Sequence, residues 1–283
     1  VRYSGLLLLV TLVWGATFPV LKLAAHALSG LEISALRFAL AALCLLPWGV
    51  RARAAAWRDG ALLAALSLLA YVAQAYGLQT ISSNRSAFLT SLNVLMVPLF
   101  GAALGWGMRW RSLAAALLAC LGIALMSWEG GADVRADAAT VGGAAAYAVF
   151  VLLLSHCAPR HSARSLAATQ TLCMAALAWV WLLLGDDLAT LRTLPARVDA
   201  RTALGLLYLG GVASAGMLFL QARAQRHVRA DQAAILYAME PVFAACFGWL
   251  WLGEGLGLRA LLGAALVLLA LVGSQLPARA QPN

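Results

Sequence analysis

The sequence predicts an all-α integral membrane protein of ten transmembrane helices, built as two inverted five-helix repeats around a central cavity. Three observations carry that prediction. Hydrophobic residues make up 63% of the 283 positions and charged residues 11%, with a mean hydropathy of +0.86, so the apolar surface exceeds what a soluble core can hide. Apolar segments of about 20 residues, the length that spans a bilayer core, recur ten times between short polar breaks. Residues of the first half also recur in the second at fixed offsets, with an odd number of spans in each half, so the second half must enter from the opposite side.

The spans run approximately 4–26, 31–50, 60–80, 86–106, 112–128, 138–156, 165–184, 203–224, 232–252 and 260–276. The first run, from Tyr3 to Ala25, is longer than a signal-peptide core and has no clear small-residue cleavage site, so it reads as retained. A net charge of +9 would suggest nucleic acid in a soluble protein. Here the basic residues stand between apolar segments and are almost all arginine, which points to membrane orientation and to lipid as the partner. With the N-terminus cytoplasmic, the inner breaks hold twelve arginines, among them Arg58, Arg109, Arg226 and Arg229, and the outer breaks hold six, including Arg85 and Arg197. That excess places both termini in the cytoplasm. Trp48, Trp57, Trp106, Trp110, Trp128, Trp181 and Trp251 fall near span ends, where indoles favour the headgroup region.

The repeat divides the chain into residues 1–134 and 135–283. At an offset of 133, Ser29, Ala42 and Trp48 recur as Ser162, Ala175 and Trp181. At 147, Ser67, Gln74, Ala87, Leu89, Phe100 and Gly101 recur as Ser214, Gln221, Ala234, Leu236, Phe247 and Gly248, and the longer loop around 185–202 absorbs the difference.

Polar residues inside spans mark the candidate site. Ser67, Tyr71, Gln74 and Leu78 share one helical face in span three, and Ser214 and Gln221 repeat it in span eight. Ser86, Thr90 and Asn93 share a face in span four, where the offset pairs them with Ala233, Tyr237 and Glu240 of span nine. Buried donors and acceptors need partners, which are either neighbouring helices or the contents of a cavity. Symmetric recurrence favours the cavity. Glu240-Pro241 stands at the centre of its span, where a carboxylate costs about 2.5–3.5 kcal/mol on insertion scales and a proline removes a backbone hydrogen bond. The alternative for Glu240 is a structural ion pair with Arg37, the one arginine deep in span two. Lys22, the sole lysine, lies near the outer end of span one, placed to snorkel or to gate. Trp14 and Tyr147 align across the halves and either flank the same space or pack. Pro98, Pro241 and Gly210-Gly211 are candidate bending points, and Gly101-Ala-Ala-Leu-Gly105 is a pattern suited to close helix contact.

Some chemistry is not encoded. No Gly-x-x-x-x-Gly-Lys-Ser/Thr phosphate loop surrounds the single lysine, so no ATPase function or subunit is implied. The five cysteines fall singly, and His26, His156, His161 and His227 sit at span ends, so the sequence suggests no metal, no cofactor and no intramembrane enzyme.

The WGATFPVLK run of 14–22, Arg37-Phe38 and YAMEPVFAACFGWLWLGE of 237–254 resemble the EamA-type, ten-helix members of the drug/metabolite transporter superfamily. The likeness extends over essentially the whole chain, and its most specific part runs from Glu240-Pro241 to Gly253-Glu254. It implies a basket-like carrier in a bacterial inner membrane that exports small metabolites, with amino-acid exporters of the YddG type as the best single candidate among relatives. The first half departs from it, with Asn93-Val94 in place of Glu240-Pro241 and Gly107 in place of Glu254. The reading is a secondary carrier working by alternating access, with a cavity lined by Trp14, Tyr71, Gln74, Asn93, Tyr147, Gln221, Tyr237 and Glu240. Its amides and hydroxyls would take a zwitterion's ends. An exporter of drugs or other metabolites, and a passive channel, are the alternatives.

Overall fold

The computed structural model describes residues 2–77, 80–81, 83–107, 109–127, 133–185, 188–253, 255 and 257–275. Glu254, the C-terminal 276–283 and the side chain of Lys22 lie outside the described residues. Every described element is helical. The first half contains α1 (Arg2–Ala24), α2 (Gly30–Gly49), α3 (Ala54–Gly77), α4 (Ser83–Ser91), α5 (Asn93–Ala103) and α6 (Trp110–Ser127). The second contains α7 (Val134–Cys157), α8 (Ala163–Gly185), α9 (Leu188–Arg197), α10 (Ala200–Leu207), a π-helical stretch (Tyr208–Gly216), α11 (Met217–Gln225), α12 (Ala230–Tyr237), α13 (Glu240–Leu252) and α14 (Leu258–Gln275). Among the described residues, seven runs are long and apolar enough to cross a bilayer, and three shorter apolar helices, Phe88–Ala103, Trp110–Met126 and Leu258–Ser274, bring the number to ten.

Local chemistry sets several boundaries. Ser29 and Glu32 form a reciprocal capping box at the start of α2 (3.2 and 2.7 Å). Gly253, at φ +66°, ends α13 in the left-handed conformation. The 185–202 connection, expected as a loop, contains α9, which is tied to α2 by the Arg197–Glu32 ion pair.

The two halves pack as a two-fold pair. Two of the larger contacts, α6 with α14 and α2 with α8, each join a helix to its own counterpart. The others come in matched couples: α3–α7 with α1–α11, α3–α8 with α2 against the π stretch, and α1–α13 with α5–α7. Such matching is what an inverted repeat requires.

Close approach occurs at glycines other than the expected pair. A Cβ on Gly101 would meet only Leu152, at 3.5 Å, and Gly105 has open space and a φ of +79°, serving instead to end α5. One tight crossing is α6 on α14, where a Cβ on Gly122 would stand 2.6 Å from the Gly263 carbonyl and a Cβ on Gly263 would strike Gly122 and Met126. Gly263→Leu is therefore expected to destabilise the protein by about 1–3 kcal/mol, read as a lowered melting temperature of the purified protein. Gly273→Leu, with nothing within 4 Å of its Cβ position, is expected to leave it unchanged.

Candidate functional site

Spans four and nine are both interrupted at their centres, at positions related by the 147-residue offset. Span four breaks at Leu92, between α4 and α5, and span nine at Ala238-Met239, between α12 and α13. In span nine the cause is Pro241, which has no N–H to offer the Tyr237 carbonyl. In span four the Asn93 side chain does comparable work, its Nδ2 donating to the Thr90 carbonyl at 2.7 Å in competition with the backbone. Pro98, expected as the bending point of this span, lies within α5 and away from the break. Asn93 and Glu240 thus become the first residues of half-helices that begin in mid-membrane, an arrangement suited to holding charge.

These breaks border a cavity of about 80 Å³. Trp14, Thr17, Phe18 and Leu21 face it from α1 and Arg37 from α2. Tyr71 and Gln74 on α3, Thr90 and Ser91 on α4, and Asn93 on α5 form a second wall. Tyr147, Tyr237, Glu240 and Pro241 complete it from the second half. Gln74 Nε2 donates to Thr90 Oγ1 at 3.4 Å, so neighbouring cavity side chains hold one another.

Gln221 is the exception among the expected lining residues. It is 0% exposed and stands behind the wall, its amide donating to the hydroxyls of Tyr237 (3.0 Å) and Tyr147 (3.3 Å). Tyr237 in turn donates to Gln225 Oε1 at 2.9 Å, and Gln225 Nε2 donates to Ser155 Oγ and the Val151 carbonyl at 3.0 and 3.2 Å. This continuous layer crosses α7, α11 and α12. On its far side lies a wider pocket of about 570 Å³, bordered by Pro98, Trp106, Arg109, Ser155, His156 and the Gln225–Asp231 segment. That pocket opens at the end of the bundle where the arginines of the predicted inner breaks gather. One hydrogen-bonded layer therefore separates a basic vestibule from the central cavity.

The π-helical stretch explains how the cavity wall is fixed. Met217 N–H donates to Val212 O and Ser214 O, which leaves the Ala213 carbonyl to accept the Trp14 indole N–H at 2.9 Å. Ser214, on the same stretch, accepts from Arg37 Nε at 3.0 Å. Gly210 provides close packing, since a Cβ there would stand 2.6 Å from Leu40 Cβ and 2.8 Å from the Arg37 carbonyl, while Gly211 has open space.

The EamA-like transporter model matches residues 2–128 and again 134–275, once in each half. The chain belongs to the EamA-like transporter family. An uncharacterized transporter of Archaeoglobus fulgidus is 27% identical over 271 residues, covering 94% of this chain and 83% of its own. A protein of known crystal structure shares the fold at a TM-score of 0.79 and 16% identity, with 96% of both chains covered. This EamA-like protein is a multi-pass membrane transporter of small molecules.

In the EamA-like chain, the sequence reading missed Thr17, Phe18, Leu21 and Ser91. Thr17, Phe18 and Leu21 stand three, four and seven positions after Trp14 and so share its helical face, a signal available in the sequence. Ser91 gave none, because it reaches the cavity through the Asn93-directed break.

Proposed function

We propose that this EamA-like carrier exports amino acids of broad range from the cytoplasm across the inner membrane by alternating access, with its arginine-rich end and both termini cytoplasmic. The observation that carries the reading is the make-up of the central cavity. Its described lining combines one cation, Arg37, and one anion, Glu240, with neutral amides and hydroxyls and five aromatic rings. Balanced charge suits a zwitterion, and aromatic walls accept side chains of differing size. The positive-inside rule supplies the orientation. The Tyr147–Gln221–Tyr237–Gln225 layer would be the inner gate, opened when the half-helices of the two repeats rock apart. A cavity of about 80 Å³, against roughly 300–1,000 Å³ for typical small-molecule pockets, corresponds to the contracted stage of that cycle.

Aromatic rings around Glu240 also suit a lipophilic cation, the drug-export reading. Arg37 on the same cavity opposes it by like-charge repulsion.

The test is uptake of labelled threonine, methionine and phenylalanine into proteoliposomes, with counterflow against unlabelled amino acid inside. Saturable uptake with counterflow is expected. Uptake of none of the three by folded protein would overturn the proposal, and non-saturating flux without counterflow would indicate a channel.

A further inference from the structure

Arg37 and Glu240 face one cavity from α2 and α13 without pairing. Among the described residues, no guanidinium nitrogen of Arg37 lies within 4.0 Å of a Glu240 carboxylate oxygen. Arg37 is nonetheless only 4% exposed, and a guanidinium held so far from water requires an anion or a full set of acceptors. It has one acceptor fixed in place, Ser214 Oγ on Nε at 3.0 Å. Its carbon stands 5.1 Å from the centre of the Phe38 ring and 5.3 Å from that of Tyr71, contacts that hold the guanidinium in position. With Nε taken, the edge formed by Nη1 and Nη2 is the one left to face the cavity, and it matches a carboxylate in bidentate geometry.

The opposite pole is built in the same way. Asn93, 6% exposed, is locked by its Nδ2 bond to the Thr90 carbonyl, and its Oδ1 is buried without a hydrogen-bond partner. Glu240 lines the same cavity at the start of the symmetry-related half-helix. An unpaired amide oxygen and a carboxylate offer acceptors to an ammonium group and no donor to a carboxylate.

We propose that Arg37 and Glu240 are the two poles of a receptor for the α-amino-acid head group. The Arg37 fork takes the substrate carboxylate, while Glu240 and Asn93 Oδ1 take its ammonium. This assignment rests on the amino-acid reading above and specifies which atoms recognise the substrate. The open pair is a site held for the ligand that bridges it. A cavity of about 80 Å³ leaves room for a few water-sized groups, the scale of a charged head group. Selectivity then resides in the head group common to all α-amino acids, and the side chain is left to the aromatic walls. Broad range follows from the same geometry.

The experiment measures binding to the purified full-length protein as ligand-induced thermal stabilisation, which needs no transport. The probes are phenylalanine, phenylalaninamide, which lacks the carboxylate, and 3-phenylpropionate, which lacks the ammonium. In the unsubstituted protein each one-ended probe is expected to bind roughly ten- to hundredfold more weakly than phenylalanine, the range of a charge-assisted hydrogen bond. Arg37→Gln is expected to weaken phenylalanine by a similar factor and not to weaken phenylalaninamide, whose ammonium it no longer repels. Glu240→Gln is expected to weaken phenylalanine and not to weaken 3-phenylpropionate, whose carboxylate it no longer repels. Arg37→Lys keeps the charge without the fork and should fall between. Should Arg37→Gln not fold, Ser214→Ala releases Nε alone and is expected to weaken phenylalanine selectively. Equal weakening of all three probes, or undiminished phenylalanine binding in the variants, would overturn the two-pole assignment while leaving amino-acid uptake by the unsubstituted protein intact. Absence of uptake of threonine, methionine and phenylalanine by the unsubstituted protein would overturn the amino-acid reading, and this assignment with it.

Discussion

Tyr237→Phe is expected to shift the carrier towards the state open at its arginine-rich end, by roughly ten- to a thousandfold in the population ratio. The hydroxyl it removes accepts from Gln221 and donates to Gln225, both of them buried. Without it, Gln225 Oε1 loses its donor, and Gln221, whose Oε1 already has no hydrogen-bond partner, keeps only the longer contact to Tyr147. A buried group left unsatisfied costs about 1–3 kcal/mol and a lost hydrogen bond about 1, so the orphaned Gln225 oxygen together with the half-satisfied Gln221 amide weakens the closed layer by about 2–4 kcal/mol relative to an open state in which water reaches them. Each 1.4 kcal/mol is a factor of ten in the ratio of states.

The shift can be read with a membrane-impermeant thiol reagent applied from the vestibule side to Val94→Cys, a buried position that lines the central cavity, made in a background free of the five native cysteines. Labelling should accelerate in Tyr237→Phe. Tyr208→Phe is the control, because that hydroxyl donates to the Val13 carbonyl away from the layer and should not alter the labelling rate. Equal labelling rates in all three proteins would show that the layer is not the barrier.

What the sequence revealed, and what it concealed, divides along a physical line. Span length and hydropathy are additive over twenty residues, so ten helices could be counted directly. Exposed Trp48, Trp106, Trp110 and Trp251 stand at span ends as an interfacial preference dictates. Pro241 announces its helix break because a missing N–H is a property of one residue. The break at Leu92 has no such marker, since it depends on whether an asparagine amide turns back on its own helix or outwards. The π register is equally silent, because it is stabilised by what it serves: Trp14 on the freed Ala213 carbonyl and Arg37 on Ser214. Gln74 and Gln221 are equivalent in the repeat, yet one lines the cavity and the other ties two tyrosines together behind it. A symmetric sequence signal thus placed both near the site and could not separate their roles. That separation comes from the neighbours. Tyr147 and Tyr237 stand beside Gln221, whereas Gln74 meets Thr90.

Gly15→Val is expected to have the largest effect of any single substitution in α1, abolishing most transport and destabilising the fold by about 3 kcal/mol or more. A Cβ at Gly15 would stand 2.6 Å from Phe243 Cβ, 3.0 Å from the Ala244 nitrogen and 3.1 Å from the Phe243 carbonyl carbon. Two of these atoms are backbone of α13, so no rotamer change relieves the overlap, and a branched side chain adds to it. The helices must separate instead. Trp14, the preceding residue, would then be drawn from the Ala213 carbonyl it bonds at 2.9 Å, and Thr17 and Phe18 would leave the cavity wall together with it. On the other side, α13 carries Glu240 and Pro241 at its first turn, so both faces of the site move at once. Gly5→Val lies on the same helix with nothing within 4 Å of its Cβ position and is expected to be near neutral. Melting temperature and initial uptake rate measured on both variants separate local crowding from a general intolerance of α1 to β-branched residues. If Gly5→Val proved as damaging as Gly15→Val, helix propensity and not the α1–α13 contact would be the cause.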